Sequence, residues 1–147
     1  MCMDLTPKTK LYLSVIYDLS RDKTFARVTE ISKKIGVNKS TVTNTMKKMA
    51  NKGLIEYRPY GYIVLSDIAR TEAEKFYEIR RTFINFIEHE LSLPSEIAER
   101  NAHAVFNIND DMVINRMKDM LKHRNSCEKH KLENIKWSKD NKLICPY

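Results

Sequence analysis

Glycine is scarce in this sequence, with three in 147 residues. None falls in a GxGxxG or GxxxxGK pattern, which argues against a glycine-rich loop that cradles nucleotide phosphates. Cysteine is equally sparse. Cys2, Cys127 and Cys145 are an odd number spread to the two ends, which argues against a disulfide framework and for a reducing compartment. No apolar run approaches the roughly 18 residues of a spanning helix, and the start from Met1 to Leu13 lacks the basic region and apolar run of a signal peptide. The expected location is therefore the cytoplasm, with no membrane partner. No paired carboxylates, Ser-His-Asp set or Cys-His set announces itself, so the expected function is not enzymatic.

What the chain does have is positive charge. Twenty-six Lys and Arg stand against nineteen Asp and Glu, a formal charge of +7 and a pI near 9.3. That is a footprint suited to polyphosphate or an anionic surface. With 42% hydrophobic residues the length fits one or two small domains.

Apolar residues at Tyr12, Val15, Ile16 and Leu19, with Pro7 near the start, predict a first helix that buries one face. After the polar break from Ser20 to Thr24, "ARVTEISKKIG" reads as a short helix capped by Thr29, turning Ile31 and Ile35 inward and stopped by Gly36. Asn38 is the expected N-cap of a third helix that buries Val42, Met46 and Met49 and ends near Gly53. Two short helices joined tightly at Gly36 and Val37 make a helix-turn-helix.

The outward face of the second of these helices carries Lys39, Ser40, Thr41, Thr43, Asn44, Lys47 and Lys48. Short hydrogen-bonding side chains near the N-terminus suit base edges in a major groove, and lysines suit phosphates. The alternative for such a face in isolation is a solvated helix surface. The following "LIEYRPYGYIVLS" predicts a β-hairpin with its tip at Tyr60 and Gly61. Helix-turn-helix plus hairpin is a winged helix, and it puts Arg58 and Tyr60 on the wing, where they suit phosphate or the minor groove.

A long helix is expected from Asp67, as N-cap, toward Leu91, with Ala69, Ala73, Phe76, Phe83, Ile87 and Leu91 at helical intervals. Pro94 marks a new start, followed by a helix with Ile97, Ala104 and Val105. Another helix from about Asp110 carries Val113, Met117, Met120 and Leu121. The expected architecture is mostly α: a winged helix-turn-helix domain over 1–66, an all-helical dimerisation domain over 67–123 and a basic tail over 124–147. A two-fold homodimer would set two recognition helices one DNA turn apart.

Several of these stretches resemble one family. They are "LYLSVIYDL" (Leu11 to Leu19), "ARVTEISKKIGVNKSTVTNTMKKMANKGLIEY" (Ala26 to Tyr57), the wing "YGYIVLS" and, more faintly, "AHAVFNINDDMVINRM" (Ala102 to Met117). They are similar to the metal-dependent repressors related to the diphtheria toxin repressor and the manganese transport regulator, over about residues 8 to 121. In length the chain resembles the short, two-domain branch. The resemblance implies a homodimeric transcription factor that binds an operator palindrome when a divalent metal, Mn(II) or Fe(II), orders the first helix against the dimer domain.

The ligand positions depart from that pattern. The first-helix ligands match Leu11 and Ser14, the histidine of the long helix matches Arg80 or Arg81, and a Glu-His pair matches Phe106 and Asn107. Only His103 remains, and Mn(II) or Fe(II) is not supported by such a set. Three uses stay open: constitutive DNA binding, a different ligand in the vacated space (Arg80 and Arg81 with His103 would suit an anion), or metal held elsewhere. For the last, Cys127 and His130 are three apart, half of a zinc site, with His123 and Cys145 as further ligands. Free thiols and surface imidazoles are the alternative for these residues. A winged-helix protein-interaction module without DNA specificity is the alternative for the whole.

Overall fold

The computed structural model of the chain describes residues 5–108, 110–126, 136–137 and 143–144. The first helix, α1 (Pro7–Leu19), starts as the sequence indicates. Proline stands in its first turn, where a missing N–H costs nothing, and the Thr6 hydroxyl accepts the backbone N–H of Thr9 at 3.3 Å. It is more enclosed than its periodicity suggests, because five successive residues from Tyr12 to Ile16 are buried. The cause is its central place: α2 (Val28–Ile35) and strand β3 (Tyr62–Leu65) pack on it from one side, α4 (Asp67–Glu90) and a 3-10 turn (Ala102–Asn107) from the other.

Between α1 and α2 lies a two-residue strand, β1 (Ala26–Arg27), where the sequence reads as the start of a helix. It pairs antiparallel with β3, Ala26 opposite Ile63, and β3 pairs with β2 (Ile55–Arg58), Ile55 opposite Leu65. The result is a three-stranded sheet in the order β1-β3-β2. Because Ala26 and Arg27 are extended, α2 begins one residue before the expected cap. Thr29 does not cap it; the Glu30 carboxylate reaches back to accept the Arg27 backbone N–H at 2.9 Å. Gly36 ends α2 in the left-handed conformation (φ 77°), which its lack of a Cβ permits, and α3 (Lys39–Asn51) follows.

The 24-residue α4 is about 36 Å long at 1.5 Å per residue. Its cap is Ser66 rather than Asp67, the Ser66 hydroxyl accepting the Ala69 N–H at 3.3 Å. Ala69 and Ala73 close the core beneath the helix-turn-helix, whereas Ile84 and Ile87 belong to a second cluster with Ala98 of α5 (Ser95–Asn101) and Ala102. A third cluster, Val105, Phe106 and Ile114, sits under α6 (Asp111–Ser126). Leu11 and Phe76 pack on both the first and the third. Leu91, Ala104 and Val113, expected on buried stripes, are exposed: the helix stops at Glu90, the chain after Asn101 tightens to 3-10, and Ile114 takes the inward position of α6. In the tail, two short strands, β4 (Lys136–Trp137) and β5 (Leu143–Ile144), pair antiparallel, which the sequence did not signal. The molecule is mostly helical, with a winged-helix sheet near its N-terminus. Among the described residues no helix is long and apolar enough to cross a membrane.

Candidate nucleic-acid interface

The turn before α3 is tied from both sides. Gly36 and Val37 donate backbone N–H bonds to the Ser32 carbonyl at 3.0 and 3.2 Å, and the Ser32 hydroxyl donates to the Val37 carbonyl at 2.6 Å. Asn38 then caps α3, its side-chain oxygen accepting the Thr41 N–H and the Ser40 hydroxyl, each at 2.8 Å. With Val42, Met46 and Met49 buried, the helix has no rotational freedom. At 3.6 residues per turn the line opposite that stripe is Ser40, Asn44, Lys47 and Asn51, all exposed. Lys39 and Lys48 are also exposed, while Thr41 and Thr43 are half-buried on the flanks. Asn51 was missed in the sequence, although its spacing of seven from Asn44 would have revealed it.

Residues 31–55 contain six lysines and no acidic residue. Lys34 pairs with Asp18 at 2.5 Å; among the described residues Lys33, Lys39, Lys47, Lys48 and Lys52 form no ion pair. The exposed side of the helix-turn-helix is thus uncompensated positive charge.

At the hairpin tip Tyr60 adopts a left-handed backbone (φ 63°) and its side chain is 96% exposed. Such a conformation costs a non-glycine residue on the order of 1 kcal/mol. Arg58 is exposed, but its guanidinium is bound to Glu56 at 2.6 and 3.1 Å, so the wing carries less free charge than its sequence suggests. The sequence also gave no signal for Arg27. It lies on β1, donates to the Tyr62 hydroxyl at 3.0 Å and stacks over the Tyr62 and Phe25 rings at 5.0 and 5.8 Å. Lys23 lies over Phe25 as well and pairs with Glu30. Burial pushes the Glu30 carboxyl up, but the hydrogen bonds from Lys23 and the Arg27 N–H and their charges outweigh it and hold it below the usual range.

The positions that match metal ligands of the resembled family hold no ligand set. Leu11 is an apolar contact, and the buried Ser14 hydroxyl is engaged with the Leu11 carbonyl at 2.7 Å. Phe106 is buried edge-on to Phe76, centroids 6.0 Å apart, and Asn107 is exposed. Arg80, 2% exposed, pairs with Glu99, whereas Arg81 is exposed. His103 is exposed, with Nδ1 3.1 Å from the Arg100 carbonyl, so Arg80, Arg81 and His103 do not form one anion pocket. Among the described residues no three His, Cys, Asp or Glu side chains come together to hold a metal. Cys127, His130 and Cys145 lie outside the described residues; His123 is half-buried on α6.

Residues 4–63 match the model of the iron dependent repressor N-terminal DNA binding domain. The N-terminal part of this chain is similar to the DNA-binding domain of that family. The chain is 31% identical over 94 residues to the transcriptional regulator MntR of Escherichia coli, covering 64% of this chain and 60% of that one. It is 29% identical over 92 residues to an uncharacterised HTH-type transcriptional regulator of Methanocaldococcus jannaschii, covering 63% of this chain and 74% of the relative. Among solved structures, IdeR of T. acidophilum shares the fold with a TM-score of 0.63 at 20% identity over 77% of this chain and 53% of that chain. The manganese regulator SloR does so with 0.61 at 21%, over 82% and 55%. The chain spans about 60% of the MntR relative and about half of these solved chains.

Proposed function

We propose that the protein is a sequence-specific transcriptional regulator of the repressor type that acts in the cytoplasm as a homodimer on double-stranded operator DNA. The reader is residues 1–66, the helical dimerisation part 67–123 and the basic tail 124–147. The observation that carries this reading is the α3 surface: a capped, rotationally fixed helix whose open face is polar at its N-terminal end, lysine-rich toward the other, and free of acidic groups. Ser40, Thr41, Thr43 and Asn44 face base edges. Lys39, Lys47 and Lys48 neutralise phosphates. Arg58, Tyr60 and the stacked Arg27 meet the flanking backbone or minor groove, which gives the strained, exposed tyrosine a purpose. Exposed Leu91, Met112 and Val113 on the helical part support a second copy as their cover.

The test is fluorescence anisotropy with DNA from the promoter of the protein's own gene and a scrambled control, over a range of salt. The Lys47→Ala variant is expected to weaken binding to both DNAs and reduce the magnitude of the salt slope by about 1. Asn44→Ala is expected to relax preference at one base position and leave that slope unchanged. If neither substitution alters binding, the recognition-helix assignment fails. If the wild-type chain binds no DNA at low salt, the protein-interaction reading replaces it.

A further inference from the structure

In the resemblance, a divalent ion orders the first helix against the helical part. The donors at the matched positions do not fit such an ion. Leu11 and Phe106 offer no lone pair, the Ser14 hydroxyl is already engaged, and the buried Arg80 is a permanent cation that repels a metal. Among the described residues Arg80 Nε and Nη1 have no hydrogen-bond partner, and the ion pair of this guanidinium is with Glu99. A dication nearby would meet a like charge and would compete with it for the Glu99 carboxylate.

Yet α1 is held. Leu11 packs in the Val105, Phe106 and Ile114 cluster, and the Lys10 ammonium lies 5.7 Å over the Phe76 ring. The Tyr17 hydroxyl donates to Glu74 at 2.8 Å, and its ring packs on Tyr77 at 5.4 Å. Arg21 donates to the Tyr77 hydroxyl at 2.5 Å. These contacts run along the whole of α1 and use side chains on α4 and the turn behind it.

We infer that direct side-chain contact has replaced the ion in this protein: Leu11, Tyr17 and Arg21 lock α1 onto the helical part, and the DNA-binding form requires no divalent metal between α1 and α4. This rests on the DNA-binding reading above. Its consequence is that metal concentration does not set operator occupancy through the site between α1 and α4.

The experiment uses the full chain in two independent arms. In the first, anisotropy with the promoter DNA is compared in chelator and in millimolar Mn(II), Fe(II) or Zn(II). The expected change in affinity is below about fivefold, the lower end of ordinary allosteric couplings. In the second, thermal melting without DNA is followed with the same metals, and no rise in Tm is expected. Both arms are repeated with Cys127→Ser, His130→Gln and Cys145→Ser combined. A metal effect that vanishes in this variant belongs to the tail and leaves the inference standing. A metal-dependent gain of fivefold or more, or a rise in Tm, that persists in the variant overturns it. If no DNA binds in any arm, the functional reading fails while the melting arm still decides the metal question.

Discussion

Residues 1–66 carry twelve Lys and Arg against five Asp and Glu, a surplus of seven positive charges; residues 67–123 carry eight against eleven, a deficit of three. The two regions also place their charges differently. In the reader, lysines crowd one exposed surface with no acid beside them. The ion pairs of residues 1–66, Lys23 with Glu30, Lys34 with Asp18 and Arg58 with Glu56, lie off that surface, while in the helical part Lys75 pairs with Glu72 at 2.7 Å and Arg80 with Glu99. A formal charge of +7 therefore describes no average surface. It is the sum of +7 over residues 1–66, −3 over 67–123 and +3 over 124–147, so residues 1–66 hold the largest positive surplus and 67–123 interrupt it with a negative one. The apolar surfaces differ in the opposite sense. Among the described residues, apart from the Tyr60 tip, the large exposed apolar side chains lie between Ile68 and Val113.

The comparison breaks most visibly if the reader's core is opened. Met46 is fully buried directly behind the Lys47 and Asn44 face. Met46→Ala is expected to cost about 2–5 kcal/mol, the range for truncating a buried side chain of this size, and to abolish DNA binding at a temperature where the wild type still binds. Urea denaturation followed by circular dichroism measures the first effect and anisotropy the second. Normal affinity in a destabilised variant would show that the α3 surface does not depend on the packing behind it.

The same contrast explains what was legible in the sequence. In residues 1–66 most elements carry a local signal: Pro7 at a helix start, Asn38 as a cap that accepts the Thr41 N–H, Gly36 at a positive φ, Tyr60 and Gly61 at a hairpin tip. Those signals act within four residues and survive in any context. Two caps differ by one or two residues, Ser66 in place of Asp67 and Arg27 in place of Thr29, and the larger differences lie where distant parts decide. Ala26 and Arg27 are a strand only because Ile63 and Tyr62 lie alongside. Leu91 and Val113 look like stripe residues by spacing, but whether they are covered depends on elements far away in sequence. Arg80 suits an anion by sequence because nothing local announces that Glu99, nineteen residues on, pairs with it in a buried position. On α3 the periodicity identified the open face, and only the Asn51 end of that line was overlooked.

A smaller effect separates positioning from contact on the interface. Asn38 touches no proposed DNA partner, but it fixes the first turn of α3 through Thr41 and Ser40. Asn38→Ala is expected to cost about 1 kcal/mol of stability, typical of a lost N-cap. Asn38→Asp, which keeps the acceptor, is expected to recover most of that stability, yet to bind DNA more weakly because it adds negative charge beside the lysine face. Chemical denaturation and anisotropy on the two variants give the split. If both variants lose stability and affinity in parallel, the cap acts only through folding.

The smallest expected effect lies at the junction of β1 and α2. Glu30 accepts the Arg27 N–H and pairs with Lys23, and these outweigh burial to hold its carboxyl below the ordinary value. A carboxyl depressed on folding contributes stability above its unfolded value, and that contribution is lost as pH falls through the folded one. Glu30→Gln leaves an oxygen to accept the Arg27 N–H but removes the charge. It is therefore expected to cost about 0.5 kcal/mol at pH 7, a modest figure because the pair is partly solvated. The cost should shrink toward zero in acid, where the wild-type carboxyl is itself protonated. Urea denaturation at neutral and acid pH measures the difference. An equal cost at both would place the whole contribution in the geometry of the cap, and Lys23 would then be free to meet a phosphate beside Arg27.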